Sequence, residues 1–305
     1  MRQTLDPKLD VVFKLLFADP RNTDLLRSLL TAVLRPPLPI TTVTVLNPEP
    51  PTEDVGDKHV VLDIRAQLED GRQLDVEMQS QSRPAQRERA LYYWARMYVS
   101  QGTPGLQYHQ LEPCVVVFIT NYRELASERY HSMFHVREKH DHSLLSEALE
   151  LHLVELPKLP DGDGESEEEK LEAWGKFLRA PSDEELEKLA MSDPELRQAK
   201  EALDRLSADP VARELAQRRE RDLVAYQMDM GAAREEGLRE GIEKGIEKGI
   251  EEGRKEGCTA AILALCEVFE IEISPARHER LQAAELPELE RLLSTLRCKR
   301  QWPDE

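Results

Sequence analysis

"VVLDIRAQLEDGRQLDVEMQ" (residues 60–79) reads as two strands joined by a turn, and the turn decides which side chains share a face. Successive strand residues point to opposite sides of a sheet. Val60, Leu62, Ile64, Ala66 and Leu68 form one apolar row, and Leu74, Val76 and Met78 supply a second. A two-residue Asp70-Gly71 turn would set Glu69 against Arg72 and Asp63 against Met78, pairing apolar positions with charged ones. A three-residue Glu69-Asp70-Gly71 loop, with Gly71 as the left-handed residue of a bulge, sets Leu68 against Arg72 instead. Ile64 then faces Val76, and Ala66 faces Leu74. The hydrophobic pattern selects the bulged register.

A polar face follows from that choice: Asp63, Arg65, Gln67, Gln73, Asp75, Glu77 and Gln79. Asp63 falls opposite Glu77, and Arg65 opposite Asp75. Like charges so placed repel. Arg65 can neutralise Asp75, but nothing on the hairpin neutralises Asp63 and Glu77 together. A divalent cation bound by oxygens would do so. A solvated face, on which water screens both acids, is the alternative.

Outward from the hairpin the order is helix, helix, strand, hairpin, helix, strand. "LDPKLDVVFKLLF" (5–17) carries Asp6 as a helix cap and Pro7 at the first helical position. Leu9, Val12, Phe13 and Leu16 form its inward face. A second helix covers roughly residues 23–34 and stops at Pro36-Pro37. "ITTVTVL" (40–46) is a strand, and a helix beginning near Pro84 buries Leu91, Trp94, Ala95 and Tyr98. "CVVVFITNY" (114–122) is the continuous apolar run of a central strand covered on both sides. This is an α/β domain with a mixed sheet, ending near Leu159. Residues 160–181 form an acidic linker, and 182–305 a helical region with starts at Ser182-Asp183 and Ser192-Asp193-Pro194.

Within that region glycine recurs at 237, 241, 245, 249, 253 and 257, beside a row of Leu238, Ile242, Ile246 and Ile250. Each interior glycine costs a helix about 1 kcal/mol against alanine. The row calls for a close partner, such as the same helix of a second chain; a flexible charged tether is the alternative.

The formal charge is -18, unevenly spread: -4 over residues 1–160 and -14 over the rest. That argues against a nucleic-acid-coating protein and leaves a local site in the first half open. The first ten residues lack the apolar core of a signal peptide, and no apolar run reaches membrane-helix length. Cys114, Cys258, Cys266 and Cys298 stand singly, as reduced thiols do. A cytoplasmic protein with no membrane contact is expected. His131, His135, His140 and His142 lack an acidic partner at zinc-binding spacing and read as solvated histidines.

Taken in order, "LDPKLDVVFKLLF", Asp63, "DVEMQ" (75–79), "RALYYWARMY" (89–98), a hydrophobic strand and a glycine-period charged tail resemble the Rpn family. These are the recombination-promoting nucleases of the PD-(D/E)XK superfamily. The resemblance spans residues 5–155 and 231–257. It implies a restriction-endonuclease-like mixed sheet flanked by helices over residues 1–159, and a metal-dependent DNA endonuclease linked to recombination or transposition. Asp63 matches the family's metal-binding Asp and Glu77 its second acid. With the backbone carbonyl of Met78 they would hold Mg²⁺, or Mn²⁺, with Asp10 as a further helix-borne acid.

Gln79 stands where the superfamily has Lys. An amide carries no charge, so another cation must steady the developing negative charge. Lys14 and Arg89 are the candidates. Lys14, Arg83, Arg87, Arg89 and Arg96 would contact DNA phosphates; ordinary helix-surface charge is the alternative. The competing functional reading is a catalytically degenerate nuclease fold kept as a DNA- or protein-binding module.

Overall fold

The hairpin has the bulged register. A computed structural model of the chain describes residues 4–47, 64–160, 169–180 and 182–303. In it β2 (Ile64–Leu68) pairs antiparallel with β3 (Gln73–Gln79), Ile64 opposite Val76, Arg65 opposite Asp75 and Ala66 opposite Leu74. The Leu68 N–H donates to the Arg72 carbonyl at 3.0 Å, and Gly71 has φ +92°. That left-handed backbone suits glycine, which has no Cβ to clash. The loop is pinned to β1 (Val43–Val45) through Glu69, which accepts from the Thr41 and Thr42 N–H groups at 2.8 and 3.3 Å. The Thr41 N–H bond holds the Glu69 carboxyl down to about 2.

Three further strands complete a six-stranded mixed sheet in the order β1-β2-β3-β4-β6-β5. They are β4 (Cys114–Thr120), β5 (His131–Phe134) and β6 (Leu149–Glu155). β4 runs parallel to both β3 and β6, and all seven of its residues are buried. The continuous apolar run is therefore the central strand, as its composition requires. The sequence reading missed β5 and β6, whose polar residues interrupt the pattern.

Each sheet face has its own helical layer. Val115, Val117 and Ile119 of β4 join the main core with α1 (Asp10–Phe17), α2 (Thr23–Leu34), α4 (Glu169–Arg179) and α6 (Pro194–Ala208). Cys114, Val116 and Phe118 point the other way, onto Ala90 and Met97 of α3 (Gln86–Ser100). Burial on that side pushes the Cys114 thiol up to about 11. The α3 stripe is rotated from the expected one. Leu91 is 52% exposed, whereas Gln86, Ala90 and Met97 are buried. Tyr93 and Trp94 share the load, and Trp94 donates to the Ala148 carbonyl at 3.0 Å. An apolar stripe read from sequence does not distinguish a sheet contact from a solvent-facing Leu beside it.

The first unit extends beyond Leu159. Residues Met1–Leu223 form one unit and Val224–Glu305 another. The sequence reading ended the domain at 159 and assigned 160–181 to a linker; α4 instead lies in the core. Trp174 packs edge-on to Phe17 and Phe177, with ring centroids at 5.6 and 5.8 Å. Its indole N–H donates to Ser28 at 3.0 Å. The acidic run hid this helix because its apolar residues come after the charged ones. α5 (Asp183–Ser192) and α6 start at the expected caps, Ser182 and Asp193. α7 (Pro210–Val268) then runs for 59 residues, so "AAILALCEVFEI" mostly closes a long helix and is not a separate one.

In the second unit Ile262 and Cys266 of α7 pack with α8 (Pro275–Ala283) and α9 (Leu286–Lys299) through Leu281, Leu289, Leu292 and Leu296. All six repeat glycines lie in α7, where a Cβ on any of them would meet nothing within 4 Å.

Placement of α4 in the core yields a stability prediction. Trp174→Ala lowers unfolding free energy by about 3–5 kcal/mol in urea titration. A chain truncated after Leu159 fails to unfold cooperatively, whereas one truncated after Leu223 does, as followed by circular dichroism.

Candidate active site

β3 carries the acids. Asp75 and Glu77 stand on the face opposite Leu74, Val76 and Met78, and both are only 5% exposed. In register with β4, Glu77 lies beside Phe118 and Gln79 beside Thr120, so this is the face that α3 covers. The sequence therefore buries two carboxylates under a helix, a placement that requires nearby cations and hydrogen bonds.

α3 supplies the cation. Arg89 Nη2 lies 3.5 Å from Glu77 Oε1, and Arg89 Nε donates to the Tyr93 hydroxyl at 2.8 Å. The guanidinium also sits 5.0 Å from the centre of the Tyr93 ring. Arg89 and Tyr93 are one helical turn apart, so they share a side of the helix. Gln79 donates its amide to the other Glu77 oxygen. Burial depresses the Arg89 guanidinium, but the Glu77 charge, the Tyr93 phenol and its hydrogen bond, and the Tyr122 phenol together outweigh it and leave it raised. Burial pushes the Tyr93 phenol up, and the Glu77 charge adds to the shift.

The segment after β4 closes the same region. Tyr122 has a buried hydroxyl, and its phenol is pushed up by burial and by the Glu124 charge. Its carbonyl accepts from Thr120 Oγ1 at 2.9 Å. A buried ion pair at the end of β6 holds this segment. Lys158 Nζ lies 2.6 Å from Glu155 Oε2, while Glu155 Oε1 accepts from the Glu124 and Leu125 N–H groups at 2.6 and 3.1 Å. Lys158 also donates to the Leu125 carbonyl at 2.8 Å. Removing either charge would strand the other in the core.

The expected site residues divide into several groups. Glu77, Gln79 and Arg89 come together. Asp63 lies outside the described residues. Odd-numbered residues of β3 turn their backbone groups toward β4, as the 2.9 Å bond from the Asn121 N–H to the Gln79 carbonyl shows. Alternation then turns the Met78 carbonyl toward the β2 side.

Asp10 is not a plain exposed acid. It is 8% exposed and accepts from the Arg219 guanidinium of α7, Nε lying 2.8 and 2.9 Å from its two oxygens. Its own helix adds the Val11 N–H at 2.9 Å. Lys14 is only 4% exposed and belongs to the packed layer of α1.

Arg87 is committed to Glu124, donating to its carboxylate and its carbonyl at 2.7 Å each. Arg96 is exposed, and Arg83 is half-buried.

The histidines are not uniformly solvated. His131 is 9% exposed and its Nε2 lies 2.9 Å from His152 Nδ1; His152 in turn meets Glu150 at 2.5 Å. Among the described residues no group of three or more His, Cys, Asp or Glu is placed to hold a metal ion. The sequence pattern did not single out Tyr93, Gln86, Tyr122 or Arg219. Only Tyr93 left a signal, its four-residue spacing from Arg89.

The two raised phenols predict an alkaline effect. The unfolded chain ionises these groups near the ordinary value of 10.0, before the folded one does. Their contribution to stability is complete below that pH and is lost as pH rises through their folded values. Urea midpoints measured across this range should fall for the wild type, and less for Tyr122→Phe.

Comparison with known proteins completes the picture. Neither a curated protein nor a solved structure matches the chain significantly. A family model described as PD-(D/E)XK nuclease family transposase matches residues 7–233, which takes in the whole described sheet, the Glu77 site and Arg219. With the mixed sheet flanked by helices already established, the chain belongs to the PD-(D/E)XK nuclease family transposases.

Proposed function

We propose that this chain is a metal-dependent DNA endonuclease, hydrolysing phosphodiester bonds at the acid-bearing face of β3. The observation that carries the reading is the burial of Glu77 on β3 against Arg89 and Gln79. The donor set is all oxygen, which suits a hard cation. Asp63, Glu77 and the Met78 carbonyl would hold Mg²⁺, or Mn²⁺. When bound, such an ion lowers the pKa of a coordinated water and offsets charge on the scissile phosphate.

The chain's own residues do the rest. Gln79 orients the Glu77 carboxylate by donating to one oxygen, which leaves the other beside Arg89. Arg89, anchored by Tyr93, takes the part of the motif lysine, because it is the cation beside Glu77. Its guanidinium stays charged throughout the working range and stabilises the phosphorane-like transition state. Lys14 lies buried on α1. Arg83 and Arg96 are the candidates for backbone-phosphate contacts, and Arg87 contributes only after release from Glu124.

Purified full-length protein with plasmid DNA tests the reading. Nicking should require Mg²⁺ or Mn²⁺ and fall at least about a hundredfold in Asp63→Ala and in Glu77→Ala. Nicking that persists in both variants would place the chemistry elsewhere. Absence of nicking in the wild type, together with no metal binding by calorimetry, would favour the degenerate fold acting as a binding module.

The α7 repeat supports self-association through residues 237–257. Ile242, Ile246 and Ile250 are 55%, 58% and 60% exposed beside glycines that leave the backbone open. Light scattering should give at least a dimer for the full chain, and a monomer would remove this role.

A further inference from the structure

α3 and the segment after β4 each carry buried polar atoms that no hydrogen bond among the described residues satisfies. Gln86 is 3% exposed, and neither its amide oxygen nor its amide nitrogen has a partner there. The Tyr122 hydroxyl is in the same condition. A buried donor without an acceptor is costly, and native structures keep few of them.

Their placement relates them to one site. Gln86, Ala90, Tyr93 and Met97 recur at helical spacing on the side of α3 that meets the sheet. Ala90 and Met97 pack there against Cys114, Val116 and Phe118, and Phe118 is the register partner of Glu77. Gln86 therefore lies beneath the helix on the acid-bearing side, one turn before Arg89. Tyr122 follows the end of β4, and its phenol feels the charges of Glu124, Arg89, Glu77 and Arg83. The Arg87–Glu124 pair joins α3 to the segment after β4, one residue from Gln86 and two from Tyr122.

The helix end adds donors. Ala85, at the N-cap of α3, has no side chain to accept from the first-turn N–H groups. Such an end attracts anions.

We propose that the Tyr122 hydroxyl and the Gln86 amide, beside the first turn of α3, bind a non-bridging phosphate oxygen of the DNA strand at the Glu77 site. This rests on the nuclease reading and deepens it. The ligand chemistry follows from the partners. Tyr122 stays protonated, so it offers a hydroxyl donor. Gln86 offers amide hydrogens, and two arginines on the same side add positive charge. An anionic oxygen meets that set, whereas a cation would not. The Gln86 carbonyl is left to accept from a water on the phosphate. Neither residue has a formal charge, so they would bind the oxygen with direction and without the salt-dependent pull of the arginines.

The test uses the full-length wild type, Tyr122→Phe and Gln86→Leu, with folding checked by circular dichroism. A fluorescent DNA duplex is titrated in Ca²⁺ well below each melting temperature, and single-turnover cleavage is followed in Mg²⁺. Each variant should bind the duplex several-fold more weakly and cleave it about tenfold to a hundredfold more slowly. Melting without DNA should stay level or rise, since each change removes an unsatisfied polar atom. Wild-type binding and cleavage in both variants would overturn the proposal and leave the nuclease reading intact. A wild type that binds but does not cleave, with binding weakened in both variants, would keep the phosphate site and overturn the nuclease reading. A wild type that does neither would overturn both.

Discussion

The structure depends on one register. Gly71 takes a left-handed conformation that lets three residues turn the hairpin, and the apolar rows of β2 and β3 then coincide. A shift by one residue would exchange the faces of β2 and push Ile64, Ala66 and Leu68 out of the main core. The same parity that buries those residues sends Asp75 and Glu77 to the other side, under α3. The acids are buried as a consequence of packing, and Arg89 is the answer that α3 supplies. Fold stability and site chemistry are thus set by the same alternation.

The tolerance of that arrangement depends on parts distant in sequence. Arg219 reaches Asp10 across 209 residues and closes the N-terminal end of α1 with a guanidinium, where a carboxylate in the first turn is already favoured. Trp174 and Phe177 fill the layer between α1, α2 and the sheet. The sheet of the nuclease family is consequently not a free-standing piece of 159 residues; its hydrophobic layer is completed by helices that follow an acidic stretch. Glu155 and Lys158 play a comparable part on the other wall, holding the backbone that presents Tyr122.

Much of this was legible beforehand for identifiable reasons. β4 announces itself because a strand covered on both faces must be apolar throughout. The caps at Ser182 and Asp193 are legible because an N-cap uses a side-chain oxygen of known type to meet orphan N–H groups. β6 escaped because "LELHLVE" alternates, with Glu150 and His152 satisfying each other in the interior. The rotation of α3 escaped because Leu91 and Tyr92 are apolar enough to be core and yet are 52% and 62% exposed.

By itself, the sequence determined the hairpin register, the central strand, the helix starts at Ser182 and Asp193 and the placement of Glu77 and Gln79 on one face. These are local or period-two properties, carried by residues close in the chain. Only the tertiary structure decided which cation meets Glu77, that Asp10 belongs to Arg219, that Lys14 is interior, and that Gln86 and the Tyr122 hydroxyl are buried. Those facts depend on how a helix is rotated over a sheet and which distant segment fills the remaining space. Side-chain packing among non-neighbours sets both, and no periodicity in the chain encodes it.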